Sequence, residues 1–330
     1  MVPQKYRLGV IGTPVWDVIH GWPPGGVPSE GWGGIAYALS ALAAALPERW
    51  EVVPILKVGE DVAGRARDYL KTLQNVAADA DPVVVPQPNN RSEIHYYSAE
   101  QRTEVLTGRT PSWDWPELEP RLKESNLDAL YVNFVSGWEL DLDTAKRMRA
   151  AFQGPIYADL HMMLWVPQPN GLRALQPLPR AAEWLGCFDF VQVNQEEAAM
   201  LAGSFEELAA NARREGVLCT AITLGSRGAI CFAPRHLDLA RISEARANRA
   251  ARTPALPALV APRVVRTGAG IDPTGCGDVW GATFFSRLLL GDTPDGAMSV
   301  AHEVAGRNAS WRGVTGLVDH LLGSGTREAT

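Results

Sequence analysis

The densest chemistry in the chain lies near its C-terminal end, in Asp272-Pro273-Thr274-Gly275-Cys276-Gly277-Asp278. Two glycines one residue apart let a backbone approach a ligand closely and turn N–H groups toward it. The residues that follow read as a helix, with Trp280, Phe284 and Leu288 on one face at i, i+4 and i+8 and Val279 and Phe285 widening it. A helix N-terminus adds unpaired donors and the positive end of its dipole. Turn and helix together suit a phosphate that gains charge in a transition state. Asp278 falls in the first turn, where a general base for an attacking hydroxyl is needed. The same pattern also serves as a plain turn with an Asp cap. The motif alone leaves both readings open.

The elements that must position this segment alternate. Strands are predicted at 6–11, 51–57, 129–134, 155–159, 188–194, 219–224 and 229–232. Helices are predicted at 34–46, 62–73, 143–152, 196–202, 205–214, 278–290 and 295–312. Such alternation argues for an α/β fold, a mostly parallel sheet with helices on both faces. Ala129-Leu130-Tyr131-Val132-Asn133-Phe134 is nearly all apolar, as a strand covered on both sides should be. Two stretches break the pattern. Trp16 to Trp32 is rich in Gly, Pro and Trp, and Glu93 to Ser98 reads as a strand of a small second sheet. Both read as excursions that cover a site beside the main sheet. Arg246 to Pro262, rich in Ala, Arg and Pro, reads as a surface connection.

At 330 residues, 46% hydrophobic and 21% charged, the chain has ordinary globular composition and enough length for a sizeable core. A net charge of −6 speaks against gripping nucleic acid through phosphates, so no nucleic-acid partner is expected. No apolar run reaches the ~18 residues of a membrane span. No signal peptide is evident at Met1 to Arg7, and Cys187, Cys219, Cys231 and Cys276 form no C-x-x-C pair. A reduced, cytoplasmic setting with no membrane partner is the expectation.

The Asp272–Asp278 segment resembles the C-terminal signature of the ribokinase-like (PfkB) carbohydrate kinases, and further matches follow in family order. Gly33-Gly34 opens an Ala-rich helix. Gly59-Glu60-Asp61-Val62-Ala63-Gly64 matches a Gly-x-Asp-x-x-Gly stretch, Asn194-Gln195-Glu196-Glu197 an Asn-x-x-Glu element, and Thr223-Leu224-Gly225-Ser226-Arg227-Gly228 a Thr-x-Gly-x-x-Gly strand-loop. The resemblance spans about residues 6 to 316. It implies one ribokinase-like three-layer domain over the whole chain with a small β lid, its excursions at about 13–32 and 84–110. It also implies phosphoryl transfer from ATP with Mg²⁺ to a hydroxyl, usually primary, of a small sugar or nucleoside. Asp278 would take the proton, and the amides of Gly275, Cys276 and Gly277 would hold the developing charge. Asn194 and Glu197 would sit near the phosphates, Glu197 reaching Mg²⁺ through water; their spacing equally makes a helix cap. Thr223, Gly225, Gly228 and His302 would line the nucleotide groove. Asp272 and Thr274 resemble part of a monovalent-cation site that takes K⁺ in some members. On the acceptor side the resemblance assigns Asp17, Gly33, Gly34, Tyr37 and Asn133, with Asp17 accepting from vicinal hydroxyls. Lids of this family can pair between subunits, which implies a homodimer.

Two departures stand out. Ala38 replaces an Asn frequent in the family, and His161 stands where many members have Asp-x-Asn. Trp16, Trp22 and Trp32 crowd the acceptor region, which points to stacking on an acceptor with an apolar or aromatic face. A nucleoside kinase and a non-catalytic nucleotide-binding relative remain as alternatives. A dinucleotide oxidoreductase is disfavoured, because Gly12-Thr13-Pro14-Val15-Trp16-Asp17 after the first strand lacks the glycine pattern and puts Pro14 where a helix should start. No G-x-x-x-x-G-K-[ST] occurs, which disfavours a P-loop enzyme.

Overall fold

A computed structural model describes residues 5–21, 26–97, 102–168, 172–234, 237, 239, 242, 256–260 and 271–323. The main sheet has nine strands: β1 (Tyr6–Gly12), β4 (Trp50–Gly59), β5 (Val83–Val85), β8 (Ala129–Asn133), β9 (Ile156–Asp159), β12 (Phe190–Asn194), β13 (Cys219–Thr223), β14 (Ala229–Ala233) and β15 (Leu256–Val260). Their order is β15-β14-β13-β12-β9-β8-β1-β4-β5. From β13 to β5 every pairing is parallel, and β14 and β15 close one edge antiparallel.

Period-2 alternation divides the apolar residues between two faces. Leu8, Val10, Tyr131, Tyr157 and Phe190 pack with Ile35, Leu39, Leu42, Val279, Phe284 and Phe285. Ile11, Leu130, Val132, Ile156 and Val191 pack on the other side with Leu118, Met148, Leu208 and Ala212. The helices Ile35–Ala45 and Cys276–Leu289 thus lie on one face, and Trp115–Glu124, Leu142–Ala151 and Phe205–Glu215 on the other. The result is three layers.

A second sheet of four strands has the order β3-β2-β6-β7, from β2 (Pro14–His20), β3 (Ser29–Gly34), β6 (Arg91–Tyr96) and β7 (Arg102–Thr107). A short hairpin joins β10 (Trp165–Pro167) to β11 (Arg173–Leu175). No helix among the described residues is long and apolar enough to cross a membrane.

Two readings of the sequence are corrected here. Leu256–Val260, taken as part of a surface connection, pairs antiparallel with β14; the rest of Arg246–Pro262 lies outside the described residues. The Pro257 that disguised it is tolerated because this strand is at a sheet edge. The Trp115–Glu124 helix was not anticipated, although the Asp114 side chain accepts from the Glu117 amide as an N-cap should. Pro120 inside the helix hid it.

Candidate active site

The Cys276–Leu289 helix enters through Gly275, whose φ of 73° is left-handed. Only glycine suits that position: a Cβ there would lie 2.2 Å from the Tyr37 ring. Asp278 therefore occupies the third helical position. The Asn133 side chain at the end of β8 donates from Nδ2 to Asp278 Oδ1 at 2.6 Å. Asn133 is fully buried and holds this carboxylate oxygen; it is not among the residues that line the cavity beside Asp278, where an acceptor contact was expected of it. The Cys276 amide donates to Pro273 O at 3.1 Å, which takes it out of the expected anion set. No such bond engages the Gly275 or Gly277 amide among the described residues. Burial lifts the Cys276 thiol to about 11, so it stays protonated and inert.

Beside Asp278 opens a cavity of ≈ 70 Å³. Asp17, Ser92, Glu104 and His161 supply its polar side, with Tyr37, Thr274 and Gly275, and Val15, Ile94, Leu106, Val135 and Met162 its apolar side. Gly34 lines it as expected, with φ at 58°. Gly33 does not, but its lack of a side chain makes room for Asp17: a Cβ there would fall 1.7 Å from Asp17 Oδ2. Burial first, then the charges of Asp17, Asp272 and Asp278, hold the Tyr37 hydroxyl well above its usual range. Tyr37 is thus a protonated donor among acids.

The tryptophans are elsewhere. Residues 16 and 32 pair across β2 and β3, on the face of the lid opposite Asp17. Trp32 is buried against Tyr69, and Trp16 donates to Glu30 and carries Arg65 over its ring. Their expected stacking on an acceptor is not what the structure shows, because the period of a strand separates neighbours onto opposite faces. Trp22 lies outside the described residues.

On the far side of the turn runs a larger groove of ≈ 250 Å³, lined by Thr223, Gly225, Gly228, Trp280 and His302 among mostly apolar neighbours. The four residues expected to line a nucleotide groove, Thr223, Gly225, Gly228 and His302, are thus together on one groove. His302 Nδ1 accepts from the Trp280 indole at 3.0 Å, which fixes its ring.

Asn194 and Glu197 form a reciprocal capping box at the end of β12. Glu197 Oε1 accepts from Asn194 Nδ2, His161 Nδ1 and Trp165 Nε1, and Oε2 from the Asn194 amide. Its side chain is 1% exposed. A carboxylate so engaged does not fit the expected contact with a hydrated metal ion. Burial alone would lower the His161 pKa, but the hydrogen bond and charge of Glu197, with Asp159 and Asp278, raise it to about 9. Burial opposes ionisation of Glu197 too, yet the His161 bond leaves it below the usual carboxylate range. Burial pushes Asp159 the other way, well above that range, helped by Glu197 and Asp278 and opposed by His161. Gln192 ties this group to the turn, donating from Nε2 to Asp159 Oδ2 and to Gly277 O, each at 3.1 Å.

Asp272 Oδ1 accepts from the Thr274 amide at 2.9 Å, while Asp272 Oδ2 and Asn308 Oδ1 are buried acceptors with no hydrogen-bond partner among the described residues. Two orphaned oxygens beside the turn fit a monovalent cation. The Thr274 hydroxyl, expected to help, is bonded instead to Tyr96 at 2.7 Å. Sequence reasoning missed Asn308, Gln192, Ser92, Glu104 and Tyr96; strands distant in sequence bring the last four to the site, and the end of the Pro294–Asn308 helix brings Asn308.

No protein-family model matches the chain, and no curated protein matches it by sequence. Solved structures do. Ribokinase from Thermotoga maritima superposes with a TM-score of 0.65 at 17% identity, over 97% of this chain and 99% of that one. The fold is ribokinase-like. Adenosine kinase from Sinorhizobium meliloti gives 0.67 at 17%, over 94% and 95%. A pyrophosphate-dependent kinase of the ribokinase family, in a sulfate complex, gives 0.70 at 16%, over 93% and 96%. In this ribokinase-like frame the Asp278 turn lies between the two cavities just described, at the end of the parallel strands where ligands of open α/β sheets bind.

Proposed function

We propose that the protein is a kinase that transfers the γ-phosphoryl group of a nucleoside triphosphate to a hydroxyl of a small sugar or sugar-like polyol. The observation that carries this reading is the place of Asp278: oriented by Asn133, in the first turn of a helix, between a small acid-lined cavity and a larger apolar groove. The groove suits a flat base, and the cavity suits a compact molecule whose hydroxyls donate to Asp17 and Glu104. The acceptor hydroxyl gives its proton to Asp278 as its oxygen bonds to phosphorus. The bond to the leaving diphosphate breaks, and the diphosphate keeps the electron pair. The Gly275 and Gly277 amides and the helix dipole favour the charge that builds on the transferred group. Magnesium enters with the donor as part of the substrate. A cation at Asp272 Oδ2 and Asn308 Oδ1 would add positive charge beside the same turn.

A nucleoside acceptor is the alternative, and adenosine kinase among the similar folds favours testing it. Pyrophosphate-dependent kinases among those folds make the donor a question of its own, on which the apolar groove favours a nucleotide. The test is product release from Mg-ATP and from Mg-pyrophosphate over a panel of sugars, cyclic polyols and nucleosides. Asp278→Asn should cut turnover about 10²–10⁴-fold and leave donor affinity unchanged. Unaltered turnover in that variant refutes the assignment of the base. Absence of both turnover and ATP binding in the unaltered protein refutes the kinase reading.

A further inference from the structure

The outer face of the lid holds a cluster that the phosphoryl-transfer site does not use. Strands β2 and β6 run parallel, with His20 opposite His95 and Val18 opposite Glu93. Alternation puts Asp17, Ser92 and Ile94 toward the acceptor cavity and His20, Glu93 and His95 on the opposite face. One ligand atom from each of the three lies within 4.8 Å of the others. The two imidazoles stack at 4.3 Å with planes 5° apart. His20 Nε2 is buried and has no hydrogen-bond partner among the described residues. Glu93 is approached by Arg91 only at 3.9 Å. Two imidazoles brought face to face beside a carboxylate, one with a stranded nitrogen, form a donor set that lacks its acceptor.

We propose that His20, Glu93 and His95 bind a divalent transition-metal ion of the zinc class. Two nitrogens and one carboxylate oxygen are the ligands such borderline ions prefer, whereas Mg²⁺ and Ca²⁺ want oxygen alone. Zinc–nitrogen distances of about 2.0–2.1 Å put tetrahedral ligand atoms about 3.3 Å apart. Binding therefore requires the histidine side chains to rotate and close the remaining gap. The bound ion joins β2 to β6 and keeps its fourth position open to water or to a ligand from another molecule. It lies across the lid from Asp278, so it acts on the lid and not on the transferred phosphoryl group.

The experiment is zinc titration by calorimetry of the tag-free, full-length protein after chelator treatment and dialysis, repeated with Co²⁺ as an absorption probe. One ion per chain is expected, with visible cobalt bands and no competition from Mg²⁺. His95→Ala and Glu93→Gln should each weaken binding by at least about tenfold, and zinc should raise the Tm of the unaltered protein but not of His95→Ala. Glu93→Gln keeps the side-chain shape and carries the test if the histidine variant unfolds. Lack of stoichiometric binding, or equal binding by a His20→Ala/His95→Ala double variant, overturns the proposal.

Discussion

On the proposed reading Asp278 must hold one orientation, and a short bond from Asn133 helps to set it. Asn133→Ala removes that bond and nothing that lines the cavity beside Asp278. The expected result is a fall in kcat of about tenfold, the worth of one such hydrogen bond, with acceptor KM almost unchanged. A rise in KM at constant kcat would return Asn133 to the role of acceptor contact. Asp278, Thr223, Gly225 and Gly228 were readable in the sequence because each sits in a local motif, whereas Asp17, Tyr37 and His302 rested on the family resemblance alone. Asn133 was read as an acceptor contact and Asp159 only as the start of an Asp-x-Asn position, and Gln192 and Asn308 were not found. They act through bonds to residues 85, 33 and 34 positions away, and no local pattern records such pairings.

The turn before the Cys276–Leu289 helix is constrained twice, by its positive φ and by the Tyr37 ring beneath it. Gly275→Ala should therefore cost about 1–3 kcal/mol of stability from backbone strain, with a further loss as Tyr37 is displaced, and should lower activity through both. Chemical denaturation and turnover together check this; a variant of normal stability and activity would show that the ring yields freely. In the lid, Trp32→Ala should destabilise by about 3–5 kcal/mol as a buried aromatic while acceptor KM stays the same. The helices and parallel strands were legible because their periodicity repeats over many residues. Of the lid strands only β6 was legible, as the strand read at Glu93 to Ser98, because three glycines in the six residues of β3 obscure a period of two and hide its pairing with β2. That obscurity also placed the tryptophans on the wrong face.

At the scale of the molecule, the His161–Glu197 pair links β9 to β12 through residues just beyond or at their ends. His161 rises from 6.5 to about 9 on folding, so its stabilisation is complete below 6.5 and is lost as pH climbs toward about 9. Glu197 falls below its ordinary 4.5, so its share is present above that value and is lost as pH drops. The Tm advantage of the unaltered protein over His161→Gln should thus peak between about 4.5 and 6.5 and vanish above about 9. A difference independent of pH would mean the pair is not ionised as described. The architecture itself was foreseen from the order of elements, since alternating strands and helices leave few other ways to cover a parallel sheet.

The Tyr96 hydroxyl bonds Thr274, joining the lid to the turn that precedes Asp278. Among the described residues the lid's own buried cluster is small, Ile19, Ile94 and Tyr96, and Trp32 packs into the main core instead. The lid's central strands β2 and β6 are separated by most of a hundred residues. It should therefore behave as a low-stability unit that opens while the main sheet stays closed. In native-state hydrogen exchange the amides of β2 and β6 would then exchange well before those of β8 and β12. Tyr96→Phe would hasten the first group and leave the second alone.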